Sequence, residues 1–282
     1  MDTKSFGWTG IHVPAIGQGT WRIGDSKRAR DAESAALSLG IDLGLTHIDT
    51  AEMYGDGGAE EVVAAAIRGR RRADLFIASK VLPQHGTYQG TIAAAEQSLR
   101  RLRTEYLDLY LLHWPGRHPI GETMRAMEDL VAAGKIRAFG VSNFDVDALQ
   151  QAMAVLAQER VACNQVLYNL ATRGIERDLV PFCEREGIAV VGYTPFGGLP
   201  RPGSRGWGVL ETVGRRYDKT PRQVALRFLT RGTTLFTIPK AGAVEHVREN
   251  AGATGFALTD ADVAAIDRAF PAPRRKVPLA TA

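Results

Sequence analysis

The sequence has few cysteines and no long run of apolar residues. Its two cysteines, Cys163 and Cys183, are too few to form the framework of a disulfide-rich secreted domain. Both lie in stretches that predict burial, so we expect a reducing compartment. No segment reaches the roughly 18 apolar residues of a membrane span, and the N-terminus lacks the apolar core of a signal peptide. These absences predict a cytoplasmic protein that has no membrane partner.

Charge of one sign is also scarce. The chain has 35 lysines and arginines against 31 aspartates and glutamates, which gives a net charge of +4 with the histidines neutral. This mild and dispersed excess does not favour nucleic acid as a partner, but it suits a small polyanionic ligand. The six histidines are not spaced as sets of ligands, so we expect no metal site.

The many glycines do not form the usual phosphate-binding motifs. Each Gly-x-Gly pair lacks the third glycine of the dinucleotide fingerprint; after Gly17 and Gly19, for example, Arg22 takes its place. The only Gly-Lys pair, Gly134-Lys135, is not followed by Ser or Thr. The Rossmann and P-loop routes to nucleotide binding are therefore excluded.

Short apolar runs alternate with longer segments of helical period along the chain. A parallel strand needs a crossover helix to reach its neighbour, and continuous apolar strands are buried on both faces, so this alternation predicts a parallel sheet. Eight βα units can close on themselves, which predicts a (β/α)8 TIM barrel of the α/β class. The predicted strands lie near 15–18 and over 45–48, 75–78, 107–112, 136–141, 161–166, 188–191 and 235–238.

Signals at the chain ends and at helix starts complete the predicted architecture. Residues 6–14 are expected to form a β-hairpin that closes the bottom of the barrel. The interval before the last strand is the longest, which leaves room for an extra helix late in the chain. Thr220 with Gln223 and Thr259 with Asp262 have the spacing of capping boxes. No linker or shift of composition divides the chain, so residues 1–282 are predicted to form a single domain.

Polar and aromatic residues follow the predicted strands. The active site of a parallel barrel lies at the C-terminal ends of its strands. Asp49 and Tyr54 follow the second strand, Lys80 the third and His113 the fourth, so an acid, a phenol, an amine and an imidazole converge on one mouth. The later strands end in Ser142-Asn143, Asn164-Gln165, Tyr193-Thr194-Pro195-Phe196 and Ile238-Pro239-Lys240.

At these strand ends the sequence resembles the aldo-keto reductase family. The likeness runs in order over nearly the whole chain, and its last part is most similar to the short-loop bacterial members that reduce small aldehydes such as methylglyoxal. The matching stretches are Gly17-Gln18-Gly19-Thr20-Trp21, the segment from Asp49 to Tyr54, Lys80, His113-Trp114, Gly140-Val141-Ser142-Asn143, Asn164-Gln165, Tyr193-Thr194-Pro195 and Ile238-Pro239-Lys240 with Glu249-Asn250.

The resemblance implies NAD(P)H-dependent, reversible reduction of aldehydes and ketones by a catalytic set of Asp49, Tyr54, Lys80 and His113. Tyr54 would donate the proton, and the Lys80 ammonium would lower the pKa of its phenol. Asp49 would keep Lys80 charged through a buried ion pair. His113 would donate a hydrogen bond to the substrate carbonyl.

The resemblance also implies NADPH as the cofactor, with NADH as an alternative. Tyr193 would stack on the nicotinamide and Lys240 would contact the 2′-phosphate. Ala241 stands where a hydroxyl is usual and His246 where many members carry arginine, so the preference for NADPH is predicted to be weaker than usual. The full implied cofactor set is Gly19, Thr20, Trp21, Asp49, Ser142, Asn143, Gln165, Tyr193, Thr194, Pro195, Phe196, Gly197, Ile238, Pro239, Lys240, Ala241, His246, Glu249 and Asn250.

The substrate is predicted to be a small carbonyl compound. Trp21 and Trp114, beside Tyr54 and His113, would line an apolar slot for it. The loop 116–119 is short and residues 271–282 form only a brief tail over the mouth, so we expect an open pocket.

The sequence leaves other functions and properties open. An NADPH-binding regulatory subunit without its own substrate is one alternative. A barrel lyase or isomerase that uses Lys80 as a Schiff-base amine is another. The family default implies a monomer.

Overall fold

The protein forms a barrel of eight parallel strands preceded by an antiparallel hairpin, as described by a computed structural model for residues 2–281. The hairpin strands are β1 (Thr3–Ser5) and β2 (His12–Pro14). The barrel strands are β3 (Gln18–Gly19), β4 (His47–Asp49), β5 (Phe76–Val81), β6 (Leu107–Leu112), β7 (Ile136–Ser142), β8 (Cys163–Leu167), β9 (Ala189–Tyr193) and β10 (Leu235–Thr237).

Neighbouring strands follow the order of the chain, and the first barrel strand meets the last. Parallel bridges join Ile16 to Thr237 and Gly19 to Lys240. The Gly17 amide donates to the Thr237 carbonyl at 2.8 Å, so β3 and β10 close the sheet. Gly19 is required at this seam, because a Cβ there would lie 2.6 Å from the Ile238 carbonyl oxygen. The prediction of a (β/α)8 barrel is confirmed.

The continuous apolar strands are buried on both faces, as β6 illustrates. Leu109 and Leu111 point into the barrel, where they pack with the interior cluster that includes Phe6. Tyr110 and Leu112 point outward and belong to the larger core between strands and helices. Alternate side chains thus serve two separate apolar layers, which explains why the strand has no polar face.

Helices surround the barrel, and the late helices include the predicted extra ones. Two helices, Arg205–Arg215 and Pro221–Leu229, lie between β9 and β10, and two more, Val244–Ala251 and Asp260–Ala269, follow β10. Both predicted capping boxes are present, at Thr220 with Gln223 and at Thr259 with Asp262. The helices are α1 (Arg30–Asp42), α2 (Gly58–Ala66), α3 (Tyr88–Leu102), α4 (Ile120–Ala132), α5 (Val146–Ala154), α6 (Leu179–Glu186), α7 (Arg205–Arg215), α8 (Pro221–Leu229), α9 (Val244–Ala251) and α10 (Asp260–Ala269).

The hairpin exists but begins earlier than predicted. Thr3 pairs with Pro14, so the paired strands start three residues before Phe6, which lies in the connection between them. The polar β1 strand carries no apolar pattern, which is why the sequence did not reveal it. Phe6 itself is fully buried at the bottom of the barrel, with its ring 4.8 Å from Phe76 and 5.0 Å from Phe236.

The structure also describes the two cysteines and the apolar character of the helices. Cys163 and Cys183 are both buried and free. Within residues 2–281, no helix is long and apolar enough to cross a membrane.

Candidate active site

A cavity of about 540 Å³ opens at the C-terminal ends of the barrel strands. The strand-end residues from both halves of the chain meet around it. The residues that line it are Gly19, Thr20, Trp21, Asp49, Met53, Tyr54, His113, Trp114, Ser142, Asn143, Gln165, Tyr193, Thr194, Pro195, Phe196, Gly197, Ile238 and Lys240.

Lys80 lies beneath the cavity floor at the centre of a buried hydrogen-bond network. Its Nζ is 2.6 Å from Asp49 Oδ1, 2.8 Å from the Thr50 carbonyl oxygen and 3.3 Å from the Tyr54 hydroxyl. The Gln165 amide donates to the other Asp49 oxygen at 2.7 Å. Asp49, on β4, therefore holds Lys80, on the adjacent β5, and links both to the far side of the barrel.

The ammonium of Lys80 is strongly favoured despite its burial. The side chain is 0% exposed, and burial alone would disfavour the charge. The charge of Asp49, the nearby Tyr54 and the hydrogen bonds to both outweigh this cost and raise the pKa of Lys80 above its ordinary value. Lys80 is consequently a fixed positive charge next to the phenol.

At Tyr54, burial opposes the predicted effect of Lys80 on the pKa of the phenol. Burial of the side chain raises the pKa of the phenol; Lys80 does lower it, as predicted, but by less, and Asp49 adds to the rise. The net pKa of Tyr54 therefore lies above its ordinary value rather than below it. The strand-end pattern reveals the neighbouring charge but not the depth of burial, so the sequence did not indicate this net rise. At neutral pH the residue is a protonated phenol.

His113 completes the group at the end of β6. Its ring lies 5.7 Å from the Tyr54 ring and 4.8 Å from the Trp114 ring, measured between centroids. Burial, together with the Lys80 charge, lowers the pKa of His113 to about 3. Its Nδ1 is buried and makes no hydrogen bond within residues 2–281. A neutral imidazole at this position has one N–H to donate and one lone pair.

The opposite wall of the cavity consists of amide and hydroxyl groups beside an aromatic ring. Asn143 adopts a left-handed conformation with φ of +62°, and its amide donates to the His113 carbonyl at 3.2 Å and to the Ser142 hydroxyl at 3.2 Å. The Tyr193 hydroxyl donates to Asn143 Oδ1 at 2.8 Å. These bonds hold the Tyr193 ring at the edge of the cavity, which Gln165 also lines.

The predicted cofactor residues divide into those that line the cavity and those that do not. Most line it, including Lys240, whose side chain is exposed. Glu249 accepts a hydrogen bond from the Thr220 hydroxyl at 2.9 Å and thereby joins the start of α8 to α9. The predicted residues outside the lining set are Pro239, Ala241, His246, Glu249 and Asn250.

Aromatic residues cover the catalytic end of the cavity. Trp21 is 50% exposed, and its ring packs edge-on against Tyr54 at a centroid distance of 5.1 Å. Met53 also lines the cavity and was not predicted from the sequence. Its position directly before Tyr54, in the loop that approaches the mouth, was the only available signal.

The C-terminal tail does not take the predicted course over the mouth. Within the described part of the chain, which ends at residue 281, no residue after Lys240 lines the cavity. Lys276 instead pairs with Asp178 at 3.0 Å, and Leu279 packs against the large hydrophobic core. The tail is thereby held against the barrel rim beside α6, which leaves the mouth open.

The closed barrel, together with the buried lysine, acid and phenol at its mouth, defines the aldo/keto reductases, and the chain belongs to this family. The model of the aldo/keto reductase family matches residues 15–270. The resemblance inferred from the strand-end motifs is thus confirmed.

Individual relatives are similar over nearly their full length. The chain is 44% identical over 282 residues to methylglyoxal reductase YeaE of Escherichia coli K12, with 99% of each chain covered. It is 36% identical over 261 residues to glyoxal reductase of Bacillus subtilis, covering 92% of this chain and 89% of the relative. A crystal structure of a Klebsiella pneumoniae aldo/keto reductase in complex with NADP and acetate matches with a TM-score of 0.93 and 45% identity, covering 100% of both chains.

Proposed function

We propose that this protein is an NADPH-dependent reductase of small aldehydes and ketones. The observation that carries the proposal is the hydrogen-bonded group of Asp49, Lys80 and Tyr54 beside His113 at the closed end of the cavity. The methylglyoxal and glyoxal reductases among its relatives, and the NADP complex of the Klebsiella protein, support both the reaction class and the cofactor.

The residues around the cavity fit a nicotinamide dinucleotide. Ser142, Asn143 and Gln165 present hydroxyl and amide groups for a carboxamide, and the Tyr193 ring offers a flat face for stacking. Lys240 supplies positive charge for a phosphate. When bound, NADPH supplies the hydride, which no side chain of the protein can provide.

Tyr54 donates the proton in the proposed reaction. A phenol with a raised pKa stays protonated at neutral pH, so the donor carries its proton before the reaction begins. As the proton leaves for the developing alkoxide, the phenolate that remains lies 3.3 Å from the Lys80 ammonium. This fixed charge stabilises the phenolate where it forms. Asp49 keeps Lys80 charged and is a positioning residue.

His113 orients the carbonyl group of the substrate. Because its pKa is lowered to about 3, the imidazole is neutral at any physiological pH and does not compete with Tyr54 as a proton donor. Its single N–H can polarise the carbonyl oxygen by a hydrogen bond. Trp21, Trp114 and Met53 surround this end of the cavity, and their apolar surfaces suit a small substrate.

The proposal is tested with purified protein by following NADPH absorbance at 340 nm during reduction of methylglyoxal, glyoxal and a set of small aldehydes. We expect turnover with at least one dicarbonyl substrate, and faster turnover with NADPH than with NADH. Tight NADPH binding without turnover of any carbonyl compound would favour the regulatory alternative instead.

The Schiff-base alternative conflicts with the state of Lys80. A nucleophilic lysine must lose its proton, but the pKa of Lys80 is raised and its amine is fully buried. We expect borohydride treatment with methylglyoxal to leave Lys80 unmodified. A reduced adduct on Lys80, detected by mass spectrometry, would overturn the assignment of this residue.

We also propose that residues 1–282 fold as one domain that acts as a monomer in the cytoplasm. Only four large apolar side chains are exposed in the described chain, Trp21, Val155, Val244 and Val277, and monomeric proteins normally expose some side chains of this kind. Light scattering should give a mass near 30.6 kDa. A mass of twice this value would contradict the monomer.

A further inference from the structure

The cofactor cavity is short of positive charge. Of the residues 2–281 that line it, Lys240 is the only lysine or arginine. His246 is exposed on α9 and does not line the cavity, and Ala241 has no hydroxyl to offer. A dinucleotide with a 2′-phosphate carries three phosphate groups, so a single flexible ammonium leaves most of that charge without a partner.

We propose that Arg222 is a phosphate-binding residue of the dinucleotide site, an inference that rests on the proposed function. Arg222 is the second residue of α8. Its guanidinium carbon lies 4.0 Å from the centre of the Phe196 ring. Phe196 is itself a lining residue of the cavity, on the loop that follows Tyr193. Arg222, like His246, does not itself line the cavity, but its guanidinium packs on the ring of a residue that does.

The hydrogen-bond donors of Arg222 are unused. The guanidinium donates no hydrogen bond within residues 2–281, and its Nε is buried. Its one ionic contact joins Nε to Glu249 Oε2 at 3.4 Å, and the other Glu249 oxygen already accepts from Thr220. A planar guanidinium has five N–H donors in a fork that matches phosphate oxygens. Those donors are held beside the cavity by stacking and remain available.

Another arginine shows how a structural guanidinium differs. Arg173 directs its donors to Glu176, Asp267 and the Phe270 carbonyl, so it joins three segments of the chain. Within residues 2–281, Arg222 has a single ionic contact, the one with Glu249 of α9. Its place in the first turn of α8 is also unfavourable for a cation, because the positive end of the helix dipole lies there. An anion bound at this position would accept hydrogen bonds from the guanidinium and would offset the repulsion between its charge and the helix dipole.

Both the 2′-phosphate and the pyrophosphate of NADPH can accept hydrogen bonds from a guanidinium, and binding measurements distinguish between them. Dissociation constants for NADPH and NADH are measured by fluorescence quenching with the wild type, Arg222→Met and Arg222→Lys. Arg222→Met keeps an aliphatic stem against Phe196 but removes the charge, whereas Arg222→Lys keeps the charge. We expect Arg222→Met to weaken NADPH binding about tenfold and Arg222→Lys to retain most of the affinity.

The two cofactors identify the phosphate. A loss for NADPH alone assigns Arg222 to the 2′-phosphate, and an equal loss for NADPH and NADH assigns it to the pyrophosphate. The matched control is Arg215→Met. Arg215 is an exposed arginine of α7 that pairs with Glu211, so its substitution should leave both constants unchanged. Unchanged binding in Arg222→Met, or equal losses in the Met and Lys variants, would overturn the inference. If the wild type binds neither cofactor, the proposed function fails instead.

Discussion

At the scale of single residues, the site depends on opposed effects on the pKa of one phenol. Burial raises the pKa of Tyr54, and the ammonium of Lys80 lowers it by less. The protein therefore keeps Tyr54 protonated before the reaction, and places a positive charge where the phenolate forms. The same burial, with Lys80 nearby, lowers the pKa of His113 and keeps that ring neutral. One environment thus assigns different roles to two neighbouring side chains.

The pH dependence of reduction follows from these shifts. The pKa of His113 is about 3, and that of Tyr54 lies above the ordinary value of 10.0. Neither group changes its charge in the neutral range, so kcat/KM at saturating NADPH should be flat from about pH 6 to 9 and fall only at higher pH, as Tyr54 loses its proton. The profile is measured with a stable aldehyde. An acidic limb near pH 6.5 that disappears in His113→Asn would contradict the neutral imidazole.

At the scale of elements, a network of charged side chains attaches the late helix α10 to the segment that follows β8. Arg173 is 3% exposed and lies beside the short helical turn Gly174–Arg177. It contacts Glu176 at 2.7 Å and Asp267 of α10 at 2.6 Å. Removal of Arg173 would take one of two arginines from Glu176, which also contacts Arg231 at 3.0 Å, and would separate the α10 carboxylate of Asp267 from this network, so the group is sensitive to truncation even where its net contribution is small.

Substitution of Arg173 should therefore be costly. We expect Arg173→Met to lower the free energy of unfolding by about 3 kcal/mol, since Glu176 and the end of α10 lose their common partner. The measurement is urea denaturation followed by circular dichroism. The exposed pair of Arg215 and Glu211 provides the control, because Arg215→Met should change stability by less than about 0.5 kcal/mol. Similar losses in the two variants would contradict a special role for Arg173.

At the scale of the whole molecule, the interior of the barrel contains a titratable group that the proposed reaction does not use. His47 of β4 is almost fully buried, and its ring packs edge-on against Phe76 at 5.2 Å. Burial, partly opposed by the Asp49 charge, lowers the pKa of His47 from 6.5 to about 4. Its protonation is coupled to unfolding of the barrel.

The sign of this coupling predicts acid sensitivity. Between pH 6.5 and about 4 the unfolded chain binds a proton at His47 that the folded chain does not, so the stability falls as the pH falls through this range. The full effect is about 3 kcal/mol, at 1.4 kcal/mol for each pKa unit. We expect the stability difference between wild type and His47→Leu to shift by about this amount between pH 7 and pH 4. A difference independent of pH would rule out the buried neutral histidine.

Much of the fold and of the site geometry was predictable because both depend on strand ends. Apolar runs mark the barrel strands, and the rule for parallel barrels brings Asp49, Tyr54, Lys80 and His113 to one end. Burial depth and packing between distant loops leave no such pattern. This is why the sequence did not reveal the raised pKa of Tyr54 or the stacking of Arg222 on Phe196.

The central claim is that Tyr54 delivers the proton in an NADPH-dependent reduction. Tyr54→Phe removes one hydroxyl and keeps the aromatic ring beside Trp21 and His113. With methylglyoxal, we expect kcat to fall at least about a hundredfold, while the dissociation constant for NADPH stays within about twofold of the wild type. Turnover within about tenfold of the wild type would contradict the claim.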